Sequence, residues 1–287
     1  MAKKKMTIKL RKKIHHYVRA AIQLLFFIFL PSAFTTAFSG IKYIFNQLSG
    51  GSEIAITSFV SVLIALCVFT MVFGRFFCGY ACAFGSLGDA IHAAYMAIFK
   101  KLGKKPILLN EKVQKPLQAV KYVVLLAIVL LTFIGVYGKL PNYSPWEVFS
   151  MLRAGNLHLA GHALGIIILL VILVGMAMCE RFFCRFLCPM GAVFSLLPIL
   201  PIFSLQRSRE DCVNKCSSCE KSCPCKVKLP DKDSWETSGE CIMCQKCLCS
   251  CPKSNIKKDK ILWKMDGLGL TIVRAILLAV VMVLAGV

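Results

Sequence analysis

Five long apolar stretches constrain the fold of this chain more than any other feature. They lie at residues 17–38, 54–73, 121–137, 157–178 and 268–287. Each is close to the ~20 residues that a helix needs to cross about 30 Å of hydrocarbon. Only 17% of the 287 residues are charged, whereas soluble domains average about 25%. A purely soluble protein is therefore excluded, and about five transmembrane helices are predicted.

The basic residues between these stretches predict the orientation in the membrane. Segment 74–120 holds seven Lys or Arg residues, whereas 39–53 holds one and 138–156 holds two. Cytoplasmic loops carry the excess of Lys and Arg. We therefore expect a multi-pass plasma (inner) membrane protein with its N-terminus and segment 179–266 in the cytoplasm, and with Val287 outside.

The excess of 35 Lys and Arg over 14 Asp and Glu gives a net charge of +21. Such a charge also suits a nucleic-acid partner. Here the basic residues lie beside membrane ends, so membrane lipid is the predicted partner and nucleic acid is not. The basic start before an apolar stretch also resembles a signal peptide, but the stretch exceeds 20 residues and no A-x-A site follows it, which favours a first membrane helix.

A duplicated motif divides the membrane part into two repeats. Arg75–Gly85 (the first motif) and Arg181–Gly191 (the second motif) share Arg, Phe, Phe, Cys, Cys and Gly at a constant offset of 106. Each copy follows an even-numbered apolar stretch. Predicted helices 1–2 and 3–4 therefore form two parallel repeats, related by an axis along the membrane normal. The shorter apolar tracts 86–99 and 192–205 are expected to be interfacial or re-entrant helices.

Two cysteine runs between residues 212 and 252 carry the strongest chemical signal. One run has the C-x2-C-x2-C-x3-C-P spacing of bacterial ferredoxins and consists of Cys241, Cys244, Cys247 and Cys251, followed by Pro252. The other run has one extra residue between its first two cysteines and consists of Cys212, Cys216, Cys219 and Cys223, followed by Pro224. In two-cluster ferredoxins the fourth cysteine of a run ligates the other cluster.

Crossed ligation predicts two [4Fe–4S] clusters with defined ligands. Set 1, for cluster 1, consists of Cys212, Cys216, Cys219 and Cys251. Set 2, for cluster 2, consists of Cys241, Cys244, Cys247 and Cys223. Paired Cys-x2-Cys also builds zinc sites, but two complete runs that each end in proline favour clusters. Cys225 and Cys249 either replace a ligand or pack as small apolar side chains, and we favour packing.

The cysteine pairs of the duplicated motif predict a third site. If the membrane helix continues through each motif, positions i and i+4 place both thiols on one helix face. The repeat axis would then bring four thiolates together at the cytoplasmic membrane boundary, suited to an additional iron–sulfur cluster, copper or zinc. The alternatives are buried structural cysteines or a redox-active dithiol. The residues are Cys78, Cys82, Cys184 and Cys188.

The histidines do not suit a haem held by two facing helices, because His158 and His162 share one predicted helix. These two could instead hydrogen-bond a quinone beside Tyr143, Trp146 and Glu147. An interfacial aromatic belt with solvated histidines is the favoured interpretation. No phosphate loop or Ser-His-Asp arrangement is present, so ATP use and hydrolysis lack support.

The order of these motifs over residues 17–255 resembles the NapH/NosR/CcoG group of membrane ferredoxins. Resemblance to NapH-type proteins implies a quinol-oxidising membrane subunit that passes electrons to periplasmic partners. Resemblance to the CcoG type implies copper handling and reduction during cytochrome oxidase assembly. The group has Cys-x3-Cys-Pro in both copies, whereas Ala83 stands here where Pro189 follows the second pair. We interpret the chain as NapH-like.

The predicted fold is an all-α polytopic membrane protein with a cytoplasmic two-cluster, bacterial-ferredoxin-like domain. The expected domains are 1–105 and 106–205 (the membrane repeats), 206–262 (ferredoxin-like) and 263–287 (the last membrane helix).

The expected function is a membrane electron-transfer subunit of an oxidoreductase. It passes single electrons through two [4Fe–4S] clusters between a quinone or quinol pool, or a redox partner, and a partner oxidoreductase. One alternative is an assembly factor that binds or reduces copper at the motif cysteines. Another is a membrane anchor for a redox complex.

Overall fold

The computed structural model describes residues 8–51, 53, 55–135, 145–153, 155–156, 161–210, 212–213, 216–231, 234–258 and 267–286. It is mostly helical. The α-helices are α1 (Ile8–Phe29), α2 (Ala33–Gly50), α3 (Ser58–Phe73), α4 (Phe76–Tyr80), α5 (Ala83–Lys101), α6 (Glu111–Phe133), α7 (Pro145–Arg153), α8 (Ala163–Met178), α9 (Pro189–Leu196), α10 (Ser218–Lys221), α11 (Lys246–Ser250) and α12 (Gly267–Ala285). A π-helix covers Phe183–Leu187, and the strands are β1 (Leu205–Arg207) and β2 (Ile256–Lys258).

The described residues contain two helices that are long and apolar enough to cross a membrane, α6 and the Leu268–Ala285 part of α12. Helices α1 and α2 make a third span if they are counted together, with a bend of 60° between them. Pro31 lies in that break. It accounts for the break, because proline lacks an amide hydrogen and disfavours helix at the residue before it. The first apolar stretch is thus two helices. The predicted total of five spans stays a prediction.

Helices α3 and α8 coincide with two further apolar stretches but have only 16 residues each. At 1.5 Å per residue a helix of this length covers about 24 Å, less than the hydrocarbon core. Both are apolar around their whole circumference, which is typical of helices surrounded by lipid or protein.

By its internal contacts the chain divides into two compact units. Unit 1 consists of Met1–Ala33, Ile64–Ser86 and Val193–Val287, and unit 2 consists of Phe34–Leu63 and Leu87–Ala192. Both ferredoxin-like cysteine runs and the first motif therefore belong to unit 1, whereas the second motif belongs to unit 2. The domain boundaries expected from the sequence stay a prediction.

In unit 1, α1 buries an unusually polar face that includes His15, Arg19 and Gln23. Its opposite face exposes Leu25 and Phe29, as expected of a helix whose outer side meets lipid. Helix α1 contacts α4, α11 and α12. It therefore connects the membrane part of unit 1 to the ferredoxin-like region.

Arg274 lies in α12, yet its side chain is only 2% exposed. Its guanidinium carbon lies 4.9 Å from the ring centre of Phe203 and 5.8 Å from that of Phe73. A charge inside an apolar helix is tolerated when it faces protein rather than lipid. Packing within unit 1 therefore accounts for a charged residue in this apolar helix.

Unit 2 has an aromatic core. The rings of Phe38 and Trp146 stack with centroids 5.8 Å apart, and Trp146 meets Phe183 edge-on at 5.5 Å. Asn110 caps the start of helix α6, because its side chain accepts a hydrogen bond from the Lys112 amide at 3.1 Å. This helix contacts the π-helix of the second motif.

Candidate iron–sulfur site

Short elements of unit 1 frame the two cysteine runs. Strands β1 and β2 pair antiparallel, with Arg207 opposite Ile256. Helix α10 follows Cys216 and α11 carries Cys247, and the Ser218 hydroxyl joins them by donating to the Ser250 carbonyl at 3.0 Å. Each run is therefore held by a link to the other.

Arg11 of helix α1 forms hydrogen bonds with residues that follow α11. Arg11 Nη2 donates to the Cys251 carbonyl at 2.6 Å, and Arg11 Nη1 donates to the Ser254 hydroxyl at 2.8 Å. The last carbonyls of a helix lack intrahelical partners, so a cationic side chain there is stabilising. Arg11 thereby connects the basic start of the chain to the ferredoxin-like region.

Asn255 brings together two set 1 cysteines from different runs. Its backbone amide lies 3.4 Å from Cys251 Sγ, and its side-chain Nδ2 lies 3.8 Å from Cys212 Sγ. Cys212 is the first cysteine of its run and Cys251 the last of the other. The two thiols therefore share Asn255 as a neighbour, and the ligand assignment of set 1 stays a prediction.

Arg207 lies against the same set. Its Nη1 is 3.2 Å from Cys219 Sγ, and its Nη2 donates to the Cys216 carbonyl at 3.4 Å. The side chain is buried. Burial acts to lower the pKa of Arg207, but its hydrogen bond to Cys212 and the charges of the neighbouring thiols outweigh burial and raise that pKa. No motif or spacing in the sequence singles out Arg207 or Asn255.

All four set 2 cysteines line one small cavity. Its remaining walls are largely apolar and include Leu205, Val227 and Ile242. Six cysteines line it, namely Cys219, Cys223, Cys225, Cys241, Cys244 and Cys247. The fourth cysteine of the first run therefore shares a cavity with the first three of the second, and Cys219 of set 1 lines it as well. The ligand assignment of set 2 stays a prediction.

The set 2 cavity fits an iron–sulfur cluster by its donor chemistry. Burial raises the pKa of the Cys247 thiol well above its ordinary value, and the nearby Cys244 and Cys223 raise it further. Such thiols bind as thiolates when a cationic iron core compensates their charge. Met243 and Gln245 adopt left-handed backbone conformations with φ of 51° and 59°, which wind the ligand loop tightly around the cavity.

Across the described part of the chain, no group of three or more His, Cys, Asp or Glu side chains is gathered closely enough to hold a single metal ion. The set 2 cysteines stand instead on the walls of a cavity. Cys225 is buried on one of those walls, whereas Cys249 is half-buried in α11. The packing role favoured for both cysteines stays a prediction.

The first motif supports the ligand loop of set 2. Arg75 Nη1 donates to the Gly239 carbonyl at 2.9 Å, and the Tyr80 hydroxyl donates to the Cys244 carbonyl at 3.3 Å. Between them, a Cβ added to Gly79 would lie 2.3 Å from the Ile242 carbonyl oxygen. Close backbone approach therefore requires glycine at this position.

The motif cysteines do not lie on continuous helices. The expectation that each membrane helix continues through its motif, which would align the i and i+4 thiols, is therefore wrong. Helix α3 ends at Phe73 before Gly74, and α8 ends at Met178, where Arg181 has a φ of 62°. Both copies then form the same turn: Cys82 N donates to Phe77 O and Cys188 N to Phe183 O, each at 2.9 Å.

All four motif cysteines are buried. Cys78 and Cys82 belong to unit 1, and Cys184 and Cys188 belong to unit 2. In unit 2 the Gly191 amide donates to Cys188 Sγ at 3.2 Å. The four-thiolate site that combines the two pairs stays a prediction.

The second histidine of the quinone hypothesis, His162, is buried at the start of α8. Trp146 belongs to the aromatic core of unit 2, and Glu147 is exposed. His158 and Tyr143 lie outside the described residues, so the quinone hypothesis at this position stays a prediction.

Comparison with known proteins identifies the family. A family described as a 4Fe-4S binding domain matches residues 55–106 and 162–200, the segments that contain the two motifs. The uncharacterized protein MJ0750 of Methanocaldococcus jannaschii is 33% identical over 231 residues, which are 80% of this chain and 88% of the relative.

NirI of Paracoccus denitrificans is 32% identical over 176 residues, which are 60% of this chain and 24% of NirI. YccM of Escherichia coli, a protein named for electron transport, is 26% identical over 193 residues, or 67% of this chain and 52% of YccM. The chain belongs to the NapH/NosR-type family of membrane 4Fe-4S proteins. The resemblance inferred from the motif order is thereby confirmed.

No solved structure matches this NapH/NosR-type chain. It spans most of MJ0750 but only about a quarter of NirI. With its 4Fe-4S domain, apolar helices and relatives, it is a membrane-associated iron–sulfur electron-transport protein.

Proposed function

We propose that this protein is a membrane electron-transfer subunit that carries two [4Fe–4S] clusters. It passes single electrons between a quinone or quinol pool, or a redox partner, and a partner oxidoreductase. The observation that carries the proposal is the contact pattern of the cysteines. Asn255 contacts the thiols of Cys212 and Cys251, and one cavity joins Cys223 to the second run.

The clusters supply the one-electron chemistry, and the chain supplies binding, position and environment. Set 1 and set 2 would hold clusters 1 and 2, with four thiolates each. Arg75, Gly79 and Tyr80 hold the set 2 loop against the first motif. Cluster 2 would therefore lie next to the membrane motif, where an electron from a membrane donor enters or leaves.

The membrane placement follows the distribution of charge. We place the N-terminus and the ferredoxin-like region in the cytoplasm and the C-terminus outside, in a multi-pass protein of the plasma membrane. The exposed apolar face of α1 beside its buried polar face supports a position at the lipid boundary. Similarity to YccM, which is named for electron transport, supports the presence of redox partner proteins.

The motif cysteines are proposed as ligands of an additional redox group. The 4Fe-4S family match covers the segments that hold Cys78, Cys82, Cys184 and Cys188 rather than residues 212–252. This match favours an iron–sulfur cluster there over copper. Soft thiolates also bind Cu(I), so copper handling is the competing function.

The first experiment measures iron, sulfide and copper per chain in anaerobically purified protein, together with EPR spectra of the reduced form. Two clusters require about 8 iron atoms per chain, and a third [4Fe–4S] cluster raises this to about 12. The Cys78→Ser/Cys184→Ser variant should lose only the additional group. Stoichiometric copper that disappears in this variant would instead support copper handling, and far fewer than 8 iron atoms would contradict the proposal.

Crossed ligation is tested by comparing single serine variants in pairs. Cys212→Ser and Cys251→Ser should perturb the same EPR signal, whereas Cys241→Ser and Cys223→Ser should perturb the other. Cys67→Ser is the matched control, because Cys67 is half-buried in α3 and belongs to neither set. If the single variants Cys241→Ser and Cys251→Ser perturbed the same EPR signal, crossed ligation would be refuted.

Quinone involvement is tested with the reduced protein in liposomes of the same lipid, prepared with and without a membrane quinone. Faster reoxidation with quinone is expected. Equal rates in both preparations would support the membrane-anchor function instead.

A further inference from the structure

The two cysteine sets differ in the charge that faces them. In set 1, Arg207 reaches Cys219 Sγ at 3.2 Å, and Asn255 contacts the thiols of Cys212 and Cys251. In set 2, the described residues that line the cavity include Leu205, Val227 and Ile242 but no Lys or Arg. Arg207 therefore contacts set 1 directly. Cys219 also lines the set 2 cavity, but the remaining walls of that cavity are largely apolar.

Arg207 is held in place by the strand that carries it. It belongs to β1, its backbone amide donates to the Pro230 carbonyl at 3.0 Å, and its side chain is only 9% exposed. Because the guanidinium is almost excluded from water, its charge is weakly screened at the neighbouring sulfur.

Glu220 lies on the other side of Arg207, with its carboxylate 3.6 Å from Nη1. This carboxylate is 35% exposed, so solvent screens it more than it screens the guanidinium. The thiol of Cys219 is also the nearer group, at 3.2 Å. Glu220 therefore reduces the positive field at set 1 without cancelling it.

Hydrogen bonds to cluster sulfurs and nearby positive charge raise the reduction potential of an iron–sulfur cluster. The reason is that a one-electron reduction adds one negative charge, which a neighbouring cation stabilises. No proton or bond needs to move in this step. A buried arginine in direct contact with the set 1 thiols acts more strongly on cluster 1 than on cluster 2 and so separates the two potentials.

We propose that Arg207, assisted by Asn255, holds the potential of cluster 1 above that of cluster 2, so that a single electron shared by the pair resides on cluster 1. Arg207 is a positioning residue in this scheme. The inference rests on the proposed function, because it requires both clusters. It assigns a direction: the set 2 cysteines beside the first motif would hold the cluster nearer the membrane donor, and the set 1 cysteines with Arg207 would hold the cluster nearer the partner oxidoreductase.

The test is an EPR-monitored redox titration of the full-length, anaerobically purified protein. The wild type and the Arg207→Gln, Arg207→Lys and Glu220→Gln variants are compared. Arg207→Gln should lower the potential of cluster 1 by more than that of cluster 2. We expect a shift of about tenfold in the equilibrium of the electron between the clusters, which is about 59 mV for a one-electron couple.

Glu220→Gln should shift cluster 1 in the opposite direction, because it removes the charge that opposes Arg207. Arg207→Lys should fall between Arg207→Gln and the wild type. Arg209→Gln is the matched control, since Arg209 is 57% exposed and pairs only loosely with Asp231 at 3.9 Å. A purely structural role of Arg207 would not give opposite shifts in the Arg207 and Glu220 variants.

Equal shifts of both clusters, or none with the iron content retained, would overturn the inference. If Arg207→Gln loses iron, Arg207→Lys and Glu220→Gln carry the test. A wild-type protein without two clusters would refute the proposed function itself. If two clusters are present but their potentials do not change in the Arg207 and Glu220 variants, only the role of Arg207 would be refuted.

Discussion

Arg75 and Arg181 occupy the same position of the two motif copies, and both are at most 2% exposed. Arg75 donates to the Gly239 carbonyl and lies 3.8 Å from Glu240. Arg181 instead forms a bidentate pair with Asp89, with Nε–Oδ1 at 2.8 Å and Nη2–Oδ2 at 2.5 Å. A buried cation needs acceptors, and after duplication each copy uses those that its own unit offers.

The fifth residue of the motif shows the same divergence. Gly79 lies against the Ile242 carbonyl, and its own carbonyl accepts from Arg19 at 3.4 Å and Gln23 at 3.3 Å. Arg185 is its counterpart and donates to Gln114 Oε1 at 3.0 Å. The first motif has become a support for the set 2 loop, whereas the second is tied into unit 2 through α6.

The largest difference between the two motifs should appear when Arg75 and Arg181 are replaced. Arg181→Gln leaves Asp89 without its bidentate partner and should lower the free energy of unfolding by about 3 kcal/mol, without changing the EPR signal of cluster 2. Arg75→Gln should change that signal. The measurements are thermal denaturation in detergent and EPR of the reduced protein. Identical effects of the two variants on cluster 2 would abolish the distinction between the motifs.

Gly79→Ala should have the next largest effect. The added Cβ must displace the Ile242 backbone, which costs about 1–3 kcal/mol and disturbs the set 2 loop. The expected readout is a lower denaturation temperature with an altered cluster 2 EPR signal. Gly269→Ala in α12 is the control, because its Cβ would meet nothing within 4 Å. Wild-type behaviour of Gly79→Ala would show that the support is not rigid.

Tyr80→Phe removes the hydroxyl that donates to the Cys244 carbonyl. Loss of one hydrogen bond should cost about 1 kcal/mol, measured by thermal denaturation with the iron content unchanged. The counterpart in the second motif is Phe186, which is fully buried. The reciprocal variant Phe186→Tyr should also destabilise the protein, because the new hydroxyl would be buried in an apolar environment. A stabilising Phe186→Tyr would show that the second motif also offers an acceptor there.

Ala83→Pro should have the smallest effect. Ala83 is the first residue of α5, and Pro189 is the first residue of α9. The amide at this position has no intrahelical partner, so we expect a change within about 1 kcal/mol. Ser86→Pro is the contrasting control, because the Ser86 amide donates to the Cys82 carbonyl at 2.9 Å. A severe loss of stability in Ala83→Pro would mean that the two turns differ.

The predicted stretches 54–73 and 157–178 match α3 and α8 at their C-terminal ends. This agreement has a physical basis, since a helix ends where its apolar run meets the basic motif. Pro31 is a local signal for the break between α1 and α2, whereas the length of the apolar stretch alone predicts one continuous helix. The continuity of the helices through both motifs was wrong, because tertiary contacts hold the motif backbone in i to i−5 turns.

The sequence by itself determined the features that are local or periodic: the apolar runs, the duplication and the two cysteine runs whose spacing predicts crossed clusters. Tertiary structure alone decided which other residues meet them. Nothing in the local sequence sets Arg207 apart from neighbouring basic residues, and Arg75 meets Gly239 across 164 positions. The physical reason is that spacing encodes which cysteines share one turn, whereas the charge and hydrogen bonds around a cluster come from segments that only folding brings together.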